Sequence, residues 1–240
     1  MKRDILGVQI DRVTLDEALE RGQTLLEEPS FHYVVTPNPE FILTARNDPA
    51  FQKVLNGADL ALPDGIGVVY AAKLLGTPLT GRVPGVDFAQ GLMRQIAGTG
   101  KKLFLLGAKP GVAEKAADNL RKEYPGLDIC GVHDGYFQED GPVAEAIQTS
   151  GADVVFVCLG APKQEFWMAT HGPATGARLM IGLGGCLDVF AGNVQRAPEF
   201  WQKAGLEWLY RLLKEPSRIG RMAKLPLILI YAASERAKRK

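Results

Sequence analysis

The residues best suited to chemistry stand at the ends of short apolar runs. Asp64 follows Leu60, Ala61, Leu62 and Pro63 and precedes Gly65 and Gly67. A carboxylate delivered there by a strand end projects into a cleft, where it can take a proton from a hydroxyl nucleophile within hydrogen-bonding reach. The same position also suits a cap for a helix running from Ile66 to Leu74, and residue types alone weigh the two roles equally. Thr36 and Asn38 lie in T-P-N-P, where Pro37 and Pro39 stiffen the loop, and ligand contact there competes with ordinary turn chemistry. Arg82, in T-G-R-V-P-G, offers a guanidinium that can grip a phosphate through two N–H groups, or is simply a surface charge. Gln164, in G-A-P-K-Q-E, can hydrogen-bond a sugar or a base, or merely begin a helix.

The glycine loops are weaker signals. Gly107 opens G-A-K-P-G and Gly160 opens G-A-P-K-Q; both mixtures of Gly, Pro and polar groups suit close backbone approach to a ligand. The first lacks the spacing of a phosphate-binding P-loop. G-L-G-G at 182–185 lacks the full dinucleotide fingerprint and comes late in the chain, so a nicotinamide-dependent oxidoreductase has little support. No D-x-D pair is present to hold a divalent cation on a nucleotide-sugar. No metal site or cofactor is therefore expected, and a departing diphosphate would rely on arginines or helix N-termini.

These loops need elements to position them. Strands are expected at Ile5–Ile10, Tyr33–Thr36, Leu60–Leu62, Leu103–Leu106, Val154–Leu159 and Leu179–Leu183, with helical patterns between them. Thr14 with Glu17 three residues on marks one helix start, and Pro110 and Pro125 bracket another helix. Continuous apolar runs such as D-V-V-F-V-C-L-G read as strands buried on both faces. The chain should thus form a doubly wound, mainly parallel α/β sheet with helices on both faces and a C-terminal helical appendage. In such sheets ligands sit at the carboxyl ends of the strands, where the loops above converge.

The bulk properties agree. A chain of 240 residues, 46 % hydrophobic and 23 % charged, can build one substantial core and is neither disordered nor of low complexity. No secretory signal is visible, which makes the cytoplasm the expected compartment. Cys130, Cys158 and Cys186 are evenly spaced by 28 residues without a C-x-x-C, and His32, His133 and His171 are scattered; buried core thiols are the simpler reading.

Charge is distributed unevenly. From Arg211 onward nine basic residues face two acids, a net +7, against −6 for residues 1–210. Such a tail marks an anionic partner. On a continuous helix Arg211, Lys214, Arg218 and Arg221 would fall within one ~80° sector, although Pro216 interrupts that continuity. Trp208, Tyr210, Leu212, Leu213, Met222 and Leu225 interleave with them, which favours an interfacial segment over a solvated face. The apolar run L-P-L-I-L-I-Y-A-A is far short of the roughly 20 residues that span a bilayer. It either lies in an interface or docks on the core. Residues 1–195 are read as the α/β domain and 196–240 as a basic, amphipathic, membrane-associating appendage.

With these motifs in order, the chain resembles the WecG/TagA/CpsF family of bacterial glycosyltransferases. The resemblance rests on T-P-N-P-E, L-P-D-G-I-G, L-G-A-P-K-Q-E and R-A-P-E-F-W-Q-K-A-G-L-E-W-L-Y-R-L-L-K-E-P-S-R-I-G-R, and covers nearly the whole chain. It implies inverting, metal-independent transfer of an N-acetylmannosamine-type sugar from a UDP donor to undecaprenyl-diphosphate-linked N-acetylglucosamine. The enzyme would be peripheral on the inner face of the cell membrane. One branch of the family serves wall teichoic acid; another uses the uronic acid donor for a different surface polymer. Family roles map onto Thr36, Asn38, Asp64, Arg82 and Gln164, with Asp64 as general base. Arg211, Arg218 and Arg221 match the appendage that closes over the site and holds diphosphate, and Gly107 and Gly160 are expected at the substrate. The expected partners are the UDP-sugar, the lipid-linked acceptor and the membrane surface, with no nucleic acid. A tail that is apolar off the membrane also offers a surface for self-association. A lipid-binding adaptor without catalysis is the rival from another class.

Overall fold

The computed structural model describes residues 1–203, 205–214 and 225–238. Its centre is a six-stranded, all-parallel sheet built from β3 (His32–Val35), β4 (Leu60–Ala61), β5 (Lys102–Gly107), β6 (Asp128–His133), β7 (Val154–Cys158) and β8 (Leu179–Gly182), in the order β4-β3-β8-β7-β5-β6. Strand β7 shows why the sheet is central. All five of its residues are buried, with Val154, Phe156 and Cys158 entering one core and Val155 and Val157 the other. Successive side chains on a strand alternate between faces, so a strand apolar at every position must be covered on both sides. Burying each such side chain contributes about 1.5–3 kcal/mol.

One face is covered by α1 (Leu15–Glu27), α5 (Gly85–Ile96), α6 (Val112–Glu123) and α9 (Cys186–Phe190). The other carries α2 (Pro39–Ala45), α3 (Pro49–Asn56), α4 (Ile66–Leu75), α7 (Asp140–Ser150) and α8 (Lys163–His171). The helix starts follow the sequence signals. Thr14 Oγ1 accepts from the Glu17 amide while the Glu17 side chain accepts from the Thr14 amide, a complete capping box.

The N-terminal segment differs from the single strand expected at Ile5–Ile10. It is a hairpin of β1 (Lys2–Ile5) and β2 (Val8–Asp11), turned by Leu6 and Gly7 at φ of 56° and 95°. Both turn residues are left-handed, which matches a two-residue turn to the twist of its strands.

The segment after Arg196 contains α10 (Glu199–Lys203), α11 (Glu207–Lys214) and α12 (Leu225–Lys238). Between the first two, Gly205 at φ 71° rests against Ile66 at the start of α4. The expected break at Pro216 lies outside the described residues. The apolar run near the terminus forms α12, which lies along α4 with Ile228 and Ala232 fully buried in the core. Arg236 donates to the Leu75 carbonyl at 3.1 Å and so closes the C-terminal end of α4. Among the described residues no helix is long and apolar enough to cross a membrane.

Candidate active site

Three loops at the carboxyl ends of β3 and β4 are laced together by backbone hydrogen bonds. Leu62 donates to Val35, Asp64 to Pro37 and Val83 to Pro63, at 2.9–3.1 Å. This lacing brings Thr36, Asn38, Asp64 and Arg82 to one end of the sheet. The close packing demands small residues: a side chain on Gly67 would begin 2.8 Å from Pro39.

Asp64 is not the cap of the following helix. Gly65 holds that position at φ 108°, with no side-chain hydrogen bond to the helix. The Asp64 carboxylate reaches Arg82 and the start of α5. Its Oδ2 lies 3.5 Å from the Gly85 amide, at the start of α5, and its Oδ1 lies 3.8 Å from Nε of Arg82. About a third of the side chain remains exposed. The carboxylate is thus at a helix N-terminus, where negative charge is favoured, and within reach of a substrate hydroxyl.

Asn38 spends its side-chain oxygen on capping α2, accepting from Glu40 and Phe41 at 2.8 and 3.2 Å. Its amide nitrogen makes no hydrogen bond to other described residues and is available to a ligand. Thr36 is buried and donates to the Gly182 carbonyl at 2.9 Å, which ties the end of β3 to the end of β8. Gln164 is also buried. Its Oε1 accepts from the Gly184 amide at 3.0 Å, and its Nε2 donates to Glu165 at 2.6 Å. Thr36 and Gln164 therefore hold the G-L-G-G loop from two sides.

Gly107 and Gly160 mark the point where the sheet reverses its winding. The connection after β5 runs outward to β6, and that after β7 runs back to β8. Ligands of open parallel sheets bind at such a crevice. Gly107, at φ 128°, permits an approach that no other residue allows, since a Cβ there would stand 2.3 Å from the Cys158 carbonyl oxygen. Gly160 faces open space.

Arg82 is more than a surface charge. Its Nη2 meets Glu207 of α11 at 2.5 Å, and only 17 % of its side chain is exposed. Glu207, 6 % exposed, lies 3.8 Å from Nε of Arg196, which in turn pairs closely with Asp87 of α5. Burial disfavours the charge on Arg196, but Asp87 and Glu207 outweigh it and hold the guanidinium firmly protonated. A row of alternating charges thus runs Asp64–Arg82–Glu207–Arg196–Asp87, three carboxylates against two guanidiniums. Of the three arginines expected at the diphosphate, Arg211 has its backbone in α11, its side chain lying outside the description; Arg218 and Arg221 lie outside the described residues. Beside α11 a cavity of about 250 Å³ is lined by Asn193, Val194, Gln195, Tyr210 and Lys214.

Sequence reasoning missed Glu165, Arg196 and Glu207. Glu165 is fully buried, and desolvation outweighs its hydrogen bond from Gln164 to push its carboxyl up to about 7. A signal existed: Gln164, Glu165, Trp167 and Met168 are spaced as one buried helix face. Among the described residues no cluster of His, Cys, Asp and Glu could hold a metal.

Comparison with known proteins gives a consistent picture. The family model for the glycosyl transferase WecG/TagA/CpsF family matches residues 3–240. A Bacillus spizizenii protein named N-acetylglucosaminyldiphosphoundecaprenol N-acetyl-beta-D-mannosaminyltransferase is 40 % identical over 203 residues, 85 % of this chain and 79 % of its own length. A Staphylococcus aureus protein of the same name, from strain MRSA252, is 37 % identical over 242 residues, covering all of this chain and 94 % of its own.

Proposed function

The chain belongs to the WecG/TagA/CpsF glycosyltransferase family, and on that premise we propose that it transfers N-acetylmannosamine from UDP-N-acetylmannosamine to N-acetylglucosamine carried on undecaprenyl diphosphate. The transfer is a step in synthesis of the linkage unit of wall teichoic acid. Asp64 is the base, and the observation that carries the reading is that Gly65, not Asp64, caps the next helix, which leaves Asp64 at the meeting point of the loops after β3, β4 and α4.

The step is a single displacement. Asp64 takes the proton of the acceptor hydroxyl as that oxygen attacks the anomeric carbon. The bond from that carbon to the diphosphate breaks, UDP departs with the electron pair, and the configuration inverts. One carboxylate suffices for this chemistry, whereas retention through a glycosyl-enzyme needs a second. Arg82 lies close enough to Asp64 for one hydroxyl oxygen to hydrogen-bond both groups. The nearby arginines are already matched by carboxylates. Stabilisation of the diphosphate is therefore assigned to backbone amides of the loops at Gly107 and Gly160, and to Arg211, Arg218 and Arg221, without metal or other cofactor.

With a lipid-linked acceptor, the reaction is assigned in this proposal to a membrane surface, the inner face of the cell membrane. In support, α4 and α12 lie side by side and expose Tyr70, Leu74, Leu227, Ile230 and Tyr231. Arg46 stacks on Tyr231, and Lys73, Arg236 and Lys238 lie on the same two helices. Apolar groups among cations suit an anionic bilayer surface.

Release of UDP tests the proposal directly. Purified protein given UDP-N-acetylmannosamine and a lipid-diphosphate N-acetylglucosamine analogue should liberate UDP and elongate the acceptor. No release would leave a lipid-binding adaptor. Faster turnover of the uronic acid donor in a panel of UDP-sugars would reassign the donor and the polymer.

A further inference from the structure

One buried ionisable group takes no part in the transfer chemistry. Glu165, on α8, is fully shielded from water, and two hydrogen bonds in series link its carboxyl to a strand-end loop. We propose that Glu165 is a positioning residue for sugar transfer, whose carboxyl locks the Gln164 amide and, through it, the G-L-G-G loop at 182–185. The inference rests on the reading of the strand-end loops as the substrate site of a transferase.

The direction of each hydrogen bond follows from what the groups can do. The Gly184 N–H can only donate, so the Gln164 amide turns its oxygen toward it, at 3.0 Å. That choice leaves the Gln164 amide nitrogen facing Glu165, 2.6 Å away, where Oε1 accepts. A carboxyl accepts in either protonation state, so the lock does not depend on the charge of Glu165. The last residue of β8 packs closely against the pair. A Cβ on Gly182 would stand 2.9 Å from Nε2 of Gln164 and 3.2 Å from Oε1 of Glu165.

The loop held in this way borders the reacting groups. Thr36 donates to the Gly182 carbonyl, Leu183 donates to Val157 at 2.9 Å, and Gly184 donates to Gln164. A Cβ on Gly85 would stand 2.9 Å from Cγ2 of Thr36 and 3.3 Å from Cδ2 of Leu183, and it is the Gly85 amide that lies beside Asp64. Gly184 and Gly185 themselves face open space. Releasing the Gln164 amide therefore frees the loop on its open side.

Stability gives Glu165 no comparable role. Its Oε2 is buried with no hydrogen-bond partner, and burial pushes its carboxyl up to about 7. An apolar side chain of similar volume would avoid that desolvation. What only an acceptor supplies is the fixed orientation of Gln164.

The test uses the full chain with UDP-N-acetylmannosamine and the lipid-diphosphate acceptor analogue. Glu165→Met keeps the bulk and removes the acceptor. It should lower kcat roughly 10- to 100-fold, the effect of a small misplacement near a reacting centre. Glu165→Gln, whose amide oxygen can still accept from Gln164, should recover most of that loss. Gln164→Met should cost a similar factor, and adding Glu165→Met to it should cost nothing more, because Glu165 acts only through Gln164. A general loosening of the fold would instead add its penalty in either background. Wild-type kcat in Glu165→Met or Gln164→Met overturns the role, as does a Glu165→Gln no better than Glu165→Met. A further loss of about tenfold in the double variant, relative to Gln164→Met, overturns it too. If Glu165→Met does not fold, the double variant decides, since it replaces both partners of the hydrogen bond by apolar groups. The two readings fail separately. A wild-type protein that releases no UDP removes the transferase reading and this role with it, whereas an active wild type beside an equally active Glu165→Met removes only the role of Glu165.

Discussion

The strand-end loops and the C-terminal segment reach the same site by different physical means. Backbone hydrogen bonds between Val35, Pro37, Leu62, Pro63, Asp64 and Val83 deliver Asp64, in continuation of the register of β3 and β4. Charge delivers the C-terminal segment, through Glu207 between two arginines, and α12 is held by the apolar contacts of Ile228 and Ala232. Backbone ladders are insensitive to ordinary salt and pH, whereas ion pairs respond to both. Asp64 is therefore built into the rigid sheet, and the seating of α11 depends on interactions that conditions can modulate.

The largest expected effect breaks the rigid side of this contrast. Asp64→Ala should reduce transfer by about 10²- to 10⁴-fold, the usual contribution of a positioned base, while leaving folding and UDP binding intact. Wild-type turnover in this variant would mean that the lacing of the three loops serves something other than proton abstraction. Loss of UDP binding in an isothermal titration would instead assign Asp64 to donor recognition.

Glu165 offers the next largest test, because the rigid side hides one group that does respond to pH. Its carboxyl is pushed up to about 7 by burial, from an ordinary value near 4.5. The folded chain thus binds the proton more tightly than the unfolded chain does. The sign follows: stability is greatest below the unfolded value, falls as pH rises from about 4.5 to 7, and levels off above. The contribution lost is on the order of 3 kcal/mol. Glu165→Gln should remove this slope, so that the variant gains on the wild type between pH 5 and pH 8 in thermal unfolding. Parallel melting curves across that range would show that Glu165 is not desolvated in solution.

How much of this was legible in the sequence depends on the kind of force involved. The parallel sheet and the strand-end placement of Asp64 were readable, since apolar runs ending in Gly and Pro report burial and turns directly. The hairpin at Leu6-Gly7 was not, because leucine is an unusual occupant of the left-handed region and gives no turn signal. Glu207 was hidden for another reason. An acid in the first turn of a helix is unremarkable in a sequence, and only the folded chain shows that its neighbours are Arg82 and Arg196. Asn38 divides between the two outcomes: turn chemistry claims its oxygen and leaves its nitrogen to the site.

The smallest expected effects come from two positions on α12 that separate attachment to the body from attachment to the bilayer. Ile228 is fully buried against α4, and Ile230, two residues on, is 61 % exposed. Ile228→Val removes one buried methyl group and should cost about 0.5–1.5 kcal/mol of stability in chemical denaturation. Ile230→Ser should change stability by less than about 0.5 kcal/mol, as surface substitutions usually do. Its effect should appear in co-sedimentation with vesicles containing anionic lipid, where loss of an exposed apolar side chain weakens binding. If Ile230→Ser sediments like the wild type while Ile228→Val is destabilised, α12 serves the core alone and the membrane contact lies elsewhere. If both variants behave as expected, one helix carries two functions on two faces. The exposed apolar face of α12 then has a physical reason: a helix that must share its apolar surface with a bilayer cannot spend all of it on the core.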